Sequence, residues 1–167
     1  GTLGNQPSRL NQQSLPVHTM AENSRHARCV DRWIARILPS TAEDQIQLLG
    51  LGVGALWKRA SPTIGPITLG AIANRVLHTV AGHSAAMGAV KVGDTGLDIS
   101  AAVEWIRIHG KEPDLDRTVR AVLIELLTVL GNVTGQILVA PLHEVFETMT
   151  GDALSRGAHP REKDGKS

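Results

Sequence analysis

The residues best placed to do chemistry are a histidine and a glutamate near the end of the chain. His143 and Glu147 are four residues apart, so on a helix they lie one turn apart on the same face. An imidazole nitrogen and a carboxylate at this spacing can bind one metal ion. A zinc-protease helix needs a second histidine where Glu147 stands, so a third ligand would have to come from His78, His83 or His159. We therefore predict no metal site, and we interpret the pair as helix-surface residues.

The adjacent residues His143 and Glu144 resemble the phosphoacceptor histidine and its acidic neighbour in the dimerisation helices of two-component kinases. In that family the acidic residue helps to orient the imidazole for phosphoryl transfer. The resemblance covers these two residues, because the basic residue and the Thr-Pro that normally follow are absent. It implies histidine phosphotransfer with His143 as the acceptor, and His78, on another predicted helix, is the second candidate.

The chain has one cysteine, Cys29, and His26 precedes it by three residues. A neighbouring imidazole and the arginines of this segment could lower the pKa of the thiol and make it reactive. Adjacency along one helix seldom makes a catalytic pair, so we predict a small buried thiol instead. A single cysteine excludes an internal disulfide and is consistent with a reducing compartment, so we expect a cytoplasmic protein. We predict no catalytic residue, since no nucleophile motif is present, and no cofactor.

Charge argues against a nucleic-acid partner. The chain has 17 basic and 16 acidic residues, whereas proteins that bind nucleic acid normally carry a basic excess or a basic face. The densest basic cluster is Arg25, Arg28, Arg32 and Arg36, which we interpret as a solvated face of the first helix.

Composition favours helices packed on helices. Hydrophobic residues make up 42% of the chain, yet it holds one Phe, three Trp and no Tyr, so the core must be aliphatic. We predict a mainly α fold, a bundle of five to six helices with one small β-hairpin at about residues 89–99. The helical domain should span residues 21–152, between disordered segments at 1–20 and 153–167.

The strongest helical signal runs over residues 114–150, where apolar residues recur at steps of three and four. Leu123, Leu127 and Leu130 are its core or interface candidates. Gly131 and Gly135 lie one turn apart, and we predict that another helix crosses closely at one of them at least. Residues 131–135 and Pro141 should also bend or split this long helix. Residues 126–143 carry no formal charge but include polar side chains, so we predict a buried helix there and no membrane span.

The other elements are predicted from periodicity and from helix-ending residues. Ser40 or Thr41 should cap the second helix together with Glu43, as a capping box. Ser61 and Pro62 should follow the end of that helix at about Ala60. Helices are thus expected over residues 21–38, 41–60, 67–80 and 100–109. Within the second one, three glycines predict close packing against another helix; they are Gly50, Gly52 and Gly54.

No motif assigns a function, so three hypotheses stand. The leading one is a non-enzymatic regulatory or sensory module that acts through contact with a protein partner, most simply with itself as a homodimer. The second is a domain that binds a small apolar ligand in a pocket between helices, because few aromatic and many small residues can leave a cavity. The third is the histidine phosphotransfer that the resemblance implies.

Overall fold

A computed structural model describes residues 17–149 of the chain, with side chains from residue 23 onward. Over that range it is a bundle of helices with one small two-stranded sheet, as the sequence predicts. In chain order the elements are α1 (Val17–Ile37), α2 (Ala42–Ile64), α3 (Pro66–Ala81), α4 (Ala85–Gly88), β1 (Lys91–Val92), β2 (Leu97–Asp98), α5 (Ser100–His109), α6 (Leu115–Val133) and α7 (Val139–Thr148). The first helix begins about one turn earlier than expected, so residues 17–20 of the predicted disordered segment 1–20 are helical. Residues 1–16 and the predicted disordered segment 153–167 lie outside the described residues.

Helix α6 is the centre of the bundle. It packs against α1, α2, α3 and α7, so three of its sides are covered by other helices. Its predicted core positions Leu123, Leu127 and Leu130 are buried. The stripe also includes six other buried residues at helical spacing: Leu115, Thr118, Val119, Val122, Leu126 and Gly131.

The long helices alternate in direction. Thr128 of α6 contacts Asn23 of α1 at 3.4 Å, and Arg120 pairs with Asp31 at 3.0 Å, so α1 and α6 are antiparallel. Helix α3 is also antiparallel to α6, since His83, just beyond its last turn, contacts Thr118 in the first turn of α6. The α2–α3 turn and the α6–α7 turn therefore lie at the same end of the bundle.

The capping box at the start of α2 uses a different acid from the predicted one. Thr41 is the N-cap and accepts a hydrogen bond from the backbone N–H of Asp44 at 3.0 Å. Asp44 reaches back to the backbone N–H of Thr41, because it stands at the third helical position after the cap. Glu43 is one residue too early and instead forms an ion pair with Arg107 at 3.0 Å.

Helix α2 also runs past its predicted end. It continues through Ser61 and Pro62 to Ile64 and is closed by Gly65, whose φ is 95°. Pro62 removes one backbone donor, the one that would reach the carbonyl of Lys58. This turn is on the surface, because Lys58 and Pro62 are exposed, so water can hydrate that carbonyl and the helix continues.

Close packing predicted for the glycine-rich part of α2 is present at Gly52. A methyl group there would lie 3.0 Å from the ring of Trp33 and 3.1 Å from Leu123. The absence of a side chain therefore lets α1 and α6 approach α2 directly. Gly54 has open space around its own Cβ position, but a methyl group placed at Gly96 would lie 3.5 Å from the Cα of Gly54.

The small sheet packs beside α2 and α3. Its antiparallel strands pair Lys91 with Asp98 and Val92 with Leu97, which confirms the predicted hairpin. The indole N–H of Trp57 donates to the carbonyl of Asp94 in the hairpin turn at 3.0 Å.

For the uncharged segment 126–143 the sequence predicts no membrane span. None of the helices within residues 17–149 has the length and apolar character to cross a bilayer.

The prediction for Gly131 and Gly135 needs correction. The predicted split of the long helix is confirmed, because α6 ends at Val133 and α7 begins at Val139. The two glycines are therefore not one turn apart within a continuous helix. A methyl at Gly131 would lie 3.0 Å from Val139, so the close neighbour is the start of the next helix rather than a crossing one. Gly135 has φ 62° and open space around it, so its constraint is a left-handed backbone.

Replacing Leu127 with Ala tests the central role of α6. Leu127 is 1% exposed, so the change removes buried methyl groups and leaves a cavity. We expect urea unfolding to show a loss of about 2–5 kcal/mol. Ile108→Ala is the control, because Ile108 is 67% exposed and should change stability by about 0.5 kcal/mol or less. Equal effects of the two substitutions would contradict the assignment of the core.

Different substitutions separate the constraints on the two glycines. We expect both Gly131→Ala and Gly135→Ala to lower the melting temperature. The corresponding loss of unfolding free energy should be roughly 1–3 kcal/mol for Gly131→Ala and roughly 1–2 kcal/mol for Gly135→Ala. Val139→Ala should relieve the cost at Gly131, because it removes the clashing methyl groups. Gly135→Asn should cost less than Gly135→Ala, because Asn tolerates the left-handed region. A higher melting temperature for both Ala variants would contradict this structure of the turn.

Candidate functional site

The most unusual polar contact in the described structure joins two histidines that are far apart in the sequence. Nδ1 of His26 on α1 lies 2.8 Å from Nε2 of His143 on α7. The rings meet edge to face, with centroids 5.0 Å apart and an interplanar angle of 82°. His26 is 2% exposed, although histidine is rarely buried so completely. At this distance one nitrogen carries the bridging proton and the other accepts it.

Cys29 lies one turn from His26 on the same side of α1. Its thiol donates to the backbone carbonyl of His143 at 3.7 Å. Burial raises the pKa of the thiol to about 11, and the nearby charge of Glu147 adds to that shift. Arg32 and Arg36 act in the opposite direction but do not overcome it. The thiol is therefore neutral at physiological pH, which is the inert buried cysteine predicted from the sequence and not an activated nucleophile.

Charged residues border the histidine pair on its solvent side. Arg32 forms an ion pair with Glu147 at 3.7 Å, and both side chains are more than half exposed. Arg36 donates from Nη2 to the carbonyl of Phe146 at 2.5 Å. Two members of the predicted basic cluster on α1 thus attach α7 to α1. Below them, the rings of Trp33 and Phe146 pack at 4.7 Å, so the contact between α1 and α7 is polar at its rim and aromatic inside.

The other histidines considered from the sequence do not join this cluster. His78 is exposed on α3, and His83 contacts Thr118 at 3.4 Å. His159 lies outside the described residues. Among residues 17–149, no three His, Cys, Asp or Glu side chains are arranged to hold a metal ion.

The geometry bears differently on the two phosphotransfer candidates. Nε2 of His143 faces the ring of His26 at hydrogen-bond distance, so phosphorylation at that atom would require α1 and α7 to separate. His78 is open to solvent on its helix. Phosphotransfer through either residue stays a prediction.

Sequence reasoning missed the pairing itself. It examined His26 with Cys29 and His143 with Glu147 as two local sets, and the fold brings the two sets together across 117 residues. One signal was available, since each set carries two polar residues one turn apart beside an apolar stripe. Such a set has to face either solvent or a matching polar position on a neighbouring helix.

One surface groove lies on the opposite side of α1, between that helix and the start of α6. Its volume is about 460 Å³, and apolar Ile34 and Leu38 share its lining with Asp31, Arg117 and Arg120. Ligand pockets are usually concave and mostly apolar. An open groove with this mixture of charges offers a small apolar ligand little dry surface.

The chain matches no known protein family, no curated protein and no solved structure. Function is therefore inferred from the geometry of the described residues.

The raised pKa of Cys29 predicts a loss of stability in alkaline solution. The thiol ionises near pH 9.0 in the unfolded chain but only near pH 11 in the folded protein. Above about pH 9 the unfolded state therefore loses a proton that the native state keeps, and native stability falls until about pH 11. We expect urea unfolding of the wild type to show a larger loss between pH of about 8 and 10.5 than Cys29→Ala shows. Equal losses in the two proteins would contradict a shielded thiol.

Proposed function

We propose that this protein is a regulatory module that acts by protein–protein contact rather than by catalysis, and that its partner is a second copy of the chain. The observation that carries this proposal is a set of exposed, large apolar side chains at one end of the bundle. The set consists of Ile67, Val133 and Ile137, which are 88%, 57% and 74% exposed. We call this set the apolar end.

The three side chains lie at one end of the bundle because α3 and α6 are antiparallel, so that the start of α3 is beside the end of α6. The contact between His83 and Thr118 fixes the opposite end of the α3–α6 pair. Ile67 is the second of the 16 residues of α3, and Val133 is the last of the 19 residues of α6. At 1.5 Å per residue, both positions lie about 22–24 Å from that contact along the helix axes, and both lie toward the same end of the bundle. Ile137 follows Val133 in the turn that leads to α7.

Backbone hydrogen bonds hold Ile137 in its exposed position. Gly135 and Gln136 both have positive φ, 62° and 74°, and the N–H of Gln136 donates to the carbonyl of Gly131 at 2.7 Å. The hydroxyl of Thr134 donates to the carbonyl of Leu130 at 2.8 Å. A non-glycine residue at positive φ is uncommon, so this tight turn is maintained by its bonds. It holds an isoleucine in solvent at a cost that contact with a partner would recover.

The charge pattern favours a second copy as the partner. Residues 62–74 and 126–142, which form the two turns and their flanking helices, contain no charged side chain. A charged surface would repel its own copy across a twofold axis, but an uncharged apolar surface meets itself without that penalty. The centres of protein interfaces are similarly depleted of charge.

Sedimentation velocity with matched variants tests the proposed dimer. We expect the wild type to approach twice the mass of one chain as its concentration rises from about 1 to 200 µM. The double variant Ile67→Glu/Ile137→Glu should remain monomeric, because it places like charges against each other across the interface. Both positions are exposed, so its melting temperature at low concentration should match that of the wild type.

Ile108→Glu is the matched control. Ile108 is 67% exposed but lies at the other end of the bundle, since the neighbouring Arg107 pairs with Glu43 at the start of α2. This variant should dimerise like the wild type. A wild type that stays monomeric over the whole concentration range, or equal dimerisation of the double variant, would overturn the proposal.

A further inference from the structure

We propose that the contact between His26 and His143 is an acid-sensitive latch between α1 and α7, which opens when both imidazoles are protonated. This inference concerns a different face of the molecule from the apolar end and does not depend on dimerisation. The signal to which it responds is the proton concentration in the range where histidine titrates.

The number of bridging protons decides when the latch opens. Nδ1 of His26 and Nε2 of His143 are 2.8 Å apart, so the space between them holds one hydrogen. When both rings are neutral, one donates and the other accepts. After a first proton binds, one ring is a cation that still donates to its neutral partner, and the hydrogen bond is strengthened by charge. After a second proton, both facing nitrogens carry hydrogen, so neither can accept from the other, and two cations are in contact.

Burial of His26 and contact with a second cation oppose the second proton. The described charged residues of this part of α1 are Arg25, Arg28, Asp31 and Arg32, all of them exposed. On α7 the charged residues are Glu144 and Glu147, of which Glu147 is engaged by Arg32.

The other two helices that pack here bring both signs of charge. Contacts of α1 with Thr128 and Arg120 bracket the level of His26 on α6, where the charged residue is the half-buried Glu125. In the second half of α2 the charged residues are Lys58 and Arg59, both exposed. Among residues 23–149, charged side chains of both signs thus lie on the helices that pack here, and burial of His26 adds a desolvation penalty for any charge placed on it.

The sign of the pH effect follows from proton counting. In the unfolded chain both histidines take up a proton as the pH falls through about 6.5. In the latched state the pair holds the first proton, which strengthens the hydrogen bond, but it takes up the second less readily. Below about pH 6.5 the latched state therefore binds fewer protons than the open state, so acid shifts the equilibrium toward opening. The contact is stable above about pH 6.5 and is lost as the pH falls below it.

Separation of the two helices would expose the thiol of Cys29, whose reactivity therefore reports on the contact. The thiol of Cys29 is 2% exposed and is bonded to the backbone of His143 itself. Separation of α7 from α1 at His143 breaks that bond and exposes the sulfur. Cys29 is the only cysteine in the sequence, so any thiol that reacts in the intact protein is this one.

The test measures how fast Cys29 in the full chain reacts with dithiodipyridine, a disulfide that remains reactive in acid. Each rate is divided by that of glutathione at the same pH, which removes the ordinary pH dependence of thiols. Between pH of about 7.5 and 5, we expect the normalised rate of the wild type to rise about tenfold or more. In His143→Asn and in His26→Asn it should change by about twofold or less, because neither variant can form a doubly protonated pair.

His78→Asn is the matched control, because it removes an exposed histidine on α3 and should retain the response of the wild type. Far-UV circular dichroism at both pH values establishes that each protein is folded, and either histidine variant suffices if the other fails to fold. A flat wild-type rate would overturn the proposal, and so would a rise that persists in the folded variants. A rise accompanied by loss of helical signal would overturn it as well, because the whole bundle would then be unfolding.

Discussion

Burial of the apolar stripe on α6 is the constraint on which the rest of the structure depends. A helix of 19 residues with apolar side chains around most of its circumference is stable in water only when other helices cover it. Helices α1, α2, α3 and α7 supply that cover, and most of their own stability comes in turn from this packing. Because all four pack against one central element, their directions and levels are set relative to α6. The turns between them are then confined to the two ends of the bundle.

An aliphatic core with few aromatic residues requires short distances between helices. Gly52 provides one such approach, where the ring of Trp33 and the side chain of Leu123 meet the bare backbone of α2. Trp33 in turn packs on Phe146, so one indole links α1, α2, α6 and α7. Trp33 and Phe146 therefore occupy a junction between helices, while the rest of the core is mostly aliphatic.

The contact between α7 and α1 combines polar with apolar groups, since the buried His26 lies there beside the packed rings of Trp33 and Phe146. Helix α7 has 10 residues, two of them fully buried, and its attachment relies on the two imidazoles, the thiol of Cys29 and a rim of charged side chains. Contacts of this kind depend on protonation state, whereas apolar burial does not. A helix fixed in this way is a natural place for a pH-dependent change, while the α2–α3–α6 part of the bundle keeps its structure.

The amino-acid sequence by itself determined the fold class, the hairpin and the positions of most helices, because hydrophobic periodicity and turn residues are local properties of the chain. Local reasoning also placed Leu123, Leu127 and Leu130 on the inward face of α6. It failed where competing local signals were close in strength, as at Glu43 and Asp44 in the capping box, and where solvent relieved the penalty of Pro62. Only the tertiary structure decided that His26 meets His143 and that Ile67 and Ile137 share one end of the bundle. Those contacts depend on which helix faces which, and that choice comes from the packing of all the helices together, which no local pattern records.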